Sequence, residues 1–121
     1  MLALSVVAPS GTNIESGKKT IEVRSWRPAI VPLRNLLIVE NAVFLGPDQP
    51  CDPHGRAVAL VDVEEVHAWL PAELEVACAS GWLPGYWAWR LSNVRPVCWP
   101  ADLTARLGIY ELQLPGLLPL K

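Results

Sequence analysis

The sequence predicts a mainly β fold with flanking helices (α+β), a small barrel of about five to six strands formed by one domain over residues 1–121. Three observations carry this reading. The apolar or alternating runs are short and bounded by proline and glycine. Only one or two segments bear helix signals. Strands and helices do not alternate as a βαβ array would require. A chain of 121 residues suits one core and is short for two. With 51% hydrophobic and 18% charged residues, it can bury enough apolar surface to offset the entropy of ordering.

Leu2 to Val7 is apolar and ends before Pro9 and Gly11, the pattern of a strand. Pro9 to Ser16 fits two helical turns, with Gly17 where glycine commonly closes a helix. Thr20 to Ser25 alternates polar with apolar, and Asn35 to Val39 is a more deeply apolar strand. Leu45 to Gly55 holds three prolines and two glycines and reads as a surface loop. Arg56 to Val63 is a further strand. Pro71 to Ser80 carries the strongest helix signal: a first-turn proline, Glu73 and Glu75 near the positive end, and Gly81 just beyond. Tyr86 to Leu91 and Gly108 to Leu114 read as closing strands, with Val94 to Trp99 extending the first past Pro96. The final "LPGLLPLK" reads as a tail whose leucines cover one end of the barrel.

Composition narrows the function classes. No run approaches 18 apolar residues, and Met1 to Ala8 lacks a basic leader, so the expected location is cytoplasmic. Cys51, Cys78 and Cys98 are spaced too irregularly for a disulfide framework. Cys51 and His54 form a C-x-x-H without companion ligands, so no metal and no cofactor are expected. A net charge of −2 argues against broad attraction to nucleic acid. Residues 1–40, however, hold five basic side chains (Lys18, Lys19, Arg24, Arg27, Arg34) against three acidic ones, while the rest holds five against nine. Any polyanion site should therefore be local and lie near that basic segment.

The segment is "SGKKTIEVRSW", Ser16 to Trp26. Alternation along a strand points Ile21 and Val23 to the core, and Thr20, Glu22 and Arg24 the other way, with Lys19 at the strand mouth. Arg24 can grip a phosphate bidentately, and Glu22 can accept from a base amino group. A desolvated Lys19 could serve as base or nucleophile. The opposing reading is a structural ion pair between Glu22 and Arg24, and the residues alone leave both open. A second segment, "GYWAWRLSNVRPV" (Gly85 to Val97), puts Trp87, Trp89 and Leu91 on one face and Tyr86, Ala88 and Arg90 on the other. Tryptophan is default core filler, whereas Tyr86 with Arg90 has the ingredients of base stacking beside a phosphate contact.

Together the stretches "ALSVVAP…NIESGKKTIEVRSW", "LLIVENA", "GRAVALVDVEEV", "YWAWRLSNVRPV" and "LGIYEL" resemble an ASCH domain, a member of the PUA-like superfamily, over about residues 3–114. The ordered G-x-K-x-x-E-x-R element (Gly17, Lys19, Glu22, Arg24) followed by Ser-Trp is the most specific part. The resemblance implies a PUA-like β-barrel with a cleft lined by that motif, and RNA or a nucleotide-like ligand as partner. The implied binding set is Lys18, Lys19, Glu22, Arg24, Trp26, Tyr86 and Arg90. Some members are regarded as enzymes, among them an amidohydrolase of N4-acetylcytidine and a ribonuclease. In the amidohydrolase-like members the set is a lysine, a threonine and a later glutamate. Lys19 matches the lysine, Glu22 stands where the threonine belongs, and Glu64 or Glu65 falls near the glutamate. The hydrolase alternative thus rests on Lys19, Glu22 and Glu65. A third alternative is a protein-interaction module, which an apolar patch near Trp99 and Leu117 to Leu120 would favour.

Overall fold

The structure, a computed structural model, describes residues 1–117. Its strands are β1 (Leu2–Val7), β2 (Ile21–Arg24), β3 (Leu33–Asn41), β4 (Cys51–Ala68), β5 (Trp87–Pro96), β6 (Leu103–Arg106) and β7 (Ile109–Glu111). One helix, α1 (Ser10–Glu15), follows β1, and Gly17 beyond it takes a φ of +83°, the left-handed conformation glycine adopts most easily. The sheet runs β2-β5-β4-β3-β1-β7, with β6 on β4. All pairs are antiparallel except β1 with β3.

The expected barrel of five to six strands does not form: the sheet has seven strands and is not closed. β2 and β7 end the path. β7 pairs only with Leu2, Ala3 and Leu4 of β1, which leaves Ser5 to Val7 without it. β2 is four residues long, and the amides of Thr20 and Ile21 are taken by the Val76 carbonyl. Its outer edge is therefore engaged by the 71–82 segment rather than by β1. The sheet nevertheless curls, because Arg24 at the end of β2 reaches across to the Ser5 carbonyl on β1 at 2.7 Å.

That same engagement undoes the expected helix over Pro71 to Ser80. Only a 3-10 turn, Pro71–Glu73, forms, followed by irregular turns. The carbonyls of Val76 and Ala77, which a helix would offer to its own amides, go to β2 and to the Lys19 ammonium. Tertiary pairing here outweighs a good capping pattern. The loop expected over Leu45 to Gly55 is also shortened, since β4 begins at Cys51 and pairs with β6. Gly55 permits this approach: a Cβ there would sit 2.6 Å from the Leu103 carbonyl oxygen. Pro96 does not interrupt β5 but ends it, paired with Ala59.

The largest core cluster joins Leu4, Ile14, Leu36, Ile38, Val58, Val61, Val63 and Trp89. A second gathers Ala3, Leu37, Val39, Leu60 and Leu103, with Trp99, Leu112, Leu114 and Leu117 packed against it. Trp99 and Leu117 are thus core edges, not an open patch, and Leu118 to Leu120 lie outside the described residues. α1 is seated by Glu40, whose carboxylate accepts from the Thr12 amide at 2.8 Å and from Arg56 at 3.0 Å. Gly11 makes room for it: a Cβ there would lie 2.9 Å from that carboxylate.

Candidate functional site

Register determines which way the charged motif faces. Glu22 lies opposite Trp89 and Arg24 opposite Trp87, and directly opposed residues share a face. The charged side chains therefore stand on the side of the main core. Ile21 and Val23 share the other face with Ala88, where Trp69, Ala77 and Leu74 cover them as a third apolar cluster. The expected division into two faces holds, but both are covered, and the charges occupy the inner one.

Glu22 is the centre of the motif. Its Oε1 accepts from its neighbour's amide, Val23 N, at 3.2 Å and lies 3.4 Å from Lys19 Nζ, while Oε2 accepts from Arg24 Nη2 at 3.2 Å. Lys19 and Glu22 are each 6% exposed, and Lys19 also donates to the Ala77 carbonyl. A carboxylate offers about four acceptor positions, so one on Oε2 is left open.

Two concavities of about 300 Å3 each adjoin this carboxylate, and Glu22 and Val23 line both. The first fills the unclosed seam. It is lined by Ser5, Val6 and Val7 of β1, by Glu22 to Arg24 of β2, by Asn41, and by Phe44, Arg106 and Leu107 at its margin. The second lies under the 69–83 segment and is lined by Lys19, Glu22, Trp69, Ala77, Leu83 and Tyr86. The barrel fails to close where the first cavity sits.

Beneath the seam, Asn41 donates to Asp52 Oδ2 at 3.2 Å. The His54 amide, then the Asn41 side chain, hold the Asp52 carboxyl below its ordinary pKa against the opposing effect of burial. In the second cavity Trp69 is pinned by Trp82, with ring centres 6.2 Å apart, and by Tyr86 edge-on at 6.4 Å.

The expected site residues divide. Lys19, Glu22, Arg24 and Tyr86 come together around the two cavities. Lys18 is exposed and borders a separate concavity with Glu75 and Cys78. Trp26 packs edge-on against Trp89, centroids 5.0 Å apart, and accepts that ring's N–H at its carbonyl. Arg90 and Glu65 pair with each other at 3.2 Å and line neither cavity. His54 faces Asp102 at 3.1 Å, and no group of three His, Cys, Asp or Glu side chains among the described residues could hold a metal. Arg106, Asn41, Phe44 and Trp69 escaped the sequence reading. The alternation of Leu103 and Ala105, both buried, was the one available sign of the strand that carries Arg106.

The ASCH domain family model matches residues 4–101. No curated protein matches the chain. Among solved structures, it is similar to the crystal structure of ASCH from Zymomonas mobilis, with 16% identity and a TM-score of 0.46, covering 88% of this chain and 87% of that one. A point mutant of the same protein aligns at 16% identity and a TM-score of 0.48, covering 88% of this chain and 89% of that one. The chain belongs to the ASCH domain family, of PUA-like fold.

Proposed function

We propose that the chain binds RNA or a nucleotide in the seam between β1 and β2, with the Lys19–Glu22–Arg24 motif as its floor. One observation carries this reading: the Glu22 carboxylate, held between two cations, borders both cavities and keeps an acceptor position open. In the seam, the guanidinium groups of Arg24 and Arg106 supply the fork geometry that suits a phosphate or other compact anion. In the adjoining cavity, Lys19 and Tyr86 border a mostly apolar slot, where Glu22 can accept from a base edge. Family membership supports nucleic-acid association as the class.

Binding is favoured over hydrolysis on two grounds. The Lys19 ammonium is tied to the Ala77 carbonyl as well as to Glu22. Glu65, the third member of the hydrolase set, is engaged by Arg90 on the opposite face from Glu22.

The test is Arg24→Gln, titrated with a short single-stranded RNA. Glutamine ends two bonds short of the guanidinium nitrogen that reaches the Ser5 carbonyl, so the variant should stay folded with a modestly lowered melting temperature, read beside the affinity. Loss of the charged fork should weaken binding about tenfold or more. Unfolding of the variant, or unchanged affinity, would return Glu22 and Arg24 to the role of a structural ion pair.

A further inference from the structure

The seam cavity holds features that the charged motif does not use. The Asn41 amide nitrogen donates to the Val43 carbonyl at 2.7 Å and to Asp52, which fixes the amide orientation. Its carbonyl oxygen then has no hydrogen-bond partner, although Asn41 is only 3% exposed. Buried polar atoms are nearly always paired, because an unpaired one retains its full desolvation cost. Among the described residues two buried side-chain atoms are orphaned, Asn41 Oδ1 and Trp69 Nε1. Each belongs to a residue that lines one of the two cavities beside Glu22.

At the margin of the seam cavity stands Phe44, the one phenylalanine of the chain, 85% exposed, beside Leu107. Such exposure rules out a core role for the ring. Arg106 lines the same cavity and makes no ion pair among the described residues. A flat apolar face and an unpaired guanidinium thus meet at one opening, in a cavity whose lining also includes Asn41.

We infer that Phe44 is a stacking platform for one base of a single-stranded nucleic acid. Arg106 and Arg24 hold an adjacent phosphate. Stacking suits this margin because every base presents a π-face, whatever its sequence. The inference rests on the binding reading above and adds to it the residue that distinguishes a base-bearing strand from a bare anion. With two arginines at the opening, about one or two phosphates are neutralised, so log K should fall with log salt at a slope of only about −0.7 to −1.4.

The experiment titrates a short single-stranded RNA and an abasic strand of the same length into wild type, Phe44→Ala and Phe44→Tyr. An exposed ring can be removed without disturbing the fold, which circular dichroism verifies. Phe44→Ala should weaken RNA binding about 5- to 100-fold, leave abasic binding unchanged, and be rescued by Phe44→Tyr. Equal RNA affinity in wild type and Phe44→Ala overturns the platform, as does a wild type that binds both strands equally or neither. Loss in Arg24→Gln without loss in Phe44→Ala overturns the platform alone. Loss in neither overturns the cleft reading with it.

Discussion

The buried carboxylates Asp62 and Glu22 both organise arginines, and they do so differently. Asp62, on β4, accepts four hydrogen bonds: from the Asn35 amide at 3.0 Å and Arg95 at 2.9 Å on one oxygen, from Asn93 at 3.1 Å and Arg34 at 3.3 Å on the other. Glu64 beside it is engaged by Arg34 and by the Ser92 hydroxyl. Asn35 and Asn93 both adopt positive φ, at 57° and 51°, in the left-handed region that asparagine tolerates better than most residues. The register shifts of β3 and β4 fall in the same place, so this knot stitches a bulged stretch of sheet. Glu22 accepts or neighbours only three donors, at 3.2 to 3.4 Å, and borders two cavities. The knot is saturated; the seam is not. A charge network that fills every lone pair is holding the chain together, whereas one that leaves a position open beside a void is available to a ligand.

Isosteric amides at the two centres give the sharpest contrast. At Asp62, an amide must turn its NH2 toward two donors whichever way it flips. Asp62→Asn should therefore cost about 3 kcal/mol of stability in urea unfolding, with the RNA affinity of the folded fraction unchanged. At Glu22, glutamine can keep its oxygen toward Val23 N and Lys19 and turn its NH2 into the seam, opposed only by Arg24. Glu22→Gln should cost about 1 to 2 kcal/mol and alter binding by more than the stability loss explains. Equal stability costs and equal binding effects would erase the distinction between knot and seam.

The same contrast explains what was legible in the sequence. Apolar runs placed β1 and β3, and alternation placed β2 and β5, because each packs against neighbours and pairs along most of its length. Alternation also located Glu22 and Arg24 on one face, since spacing by two keeps side chains together, with Lys19 beside them at the strand mouth. What it could not supply was the partner surface. The Lys19 ammonium is oriented by Ala77, 58 residues away, and Arg24 by the Ser5 carbonyl. Those links depend on how the sheet curls, and so does the choice of inner face for the charges. Glu65 and Arg90 look like site residues by type, yet cross-strand register pairs them with each other on the far face. Arg106 sits on β6, whose four residues carry too little periodicity to announce a strand. The expected helix over Pro71 to Ser80 failed for a related reason: its local signals were sound, but two of its carbonyls had long-range claims on them.

The smallest effect expected is acid sensitivity at the knot. Burial pushes the Asp62 carboxyl upward, and hydrogen bonds from Asn35 and Asn93 with the charges of Arg95 and Arg34 outweigh it, so its pKa falls below the ordinary carboxylate range by the remainder. Glu64 is lowered as well, by its hydrogen bonds to Arg34 and Ser92. Between the folded value and the ordinary value of about 4, the unfolded chain binds more protons than the native one. The contribution of these groups is therefore complete above that ordinary value and is lost as pH falls through the depressed one. Unfolding free energy followed from pH 6 downward by denaturant titration at each pH should decline below about pH 4. In Asp62→Asn the decline should be shallower, because the titrating group is gone, and only Glu64 and the remaining carboxylates are left to respond. An Asp62→Asn curve parallel to wild type would mean that the knot, for all its hydrogen bonds, holds its proton no differently from the unfolded chain.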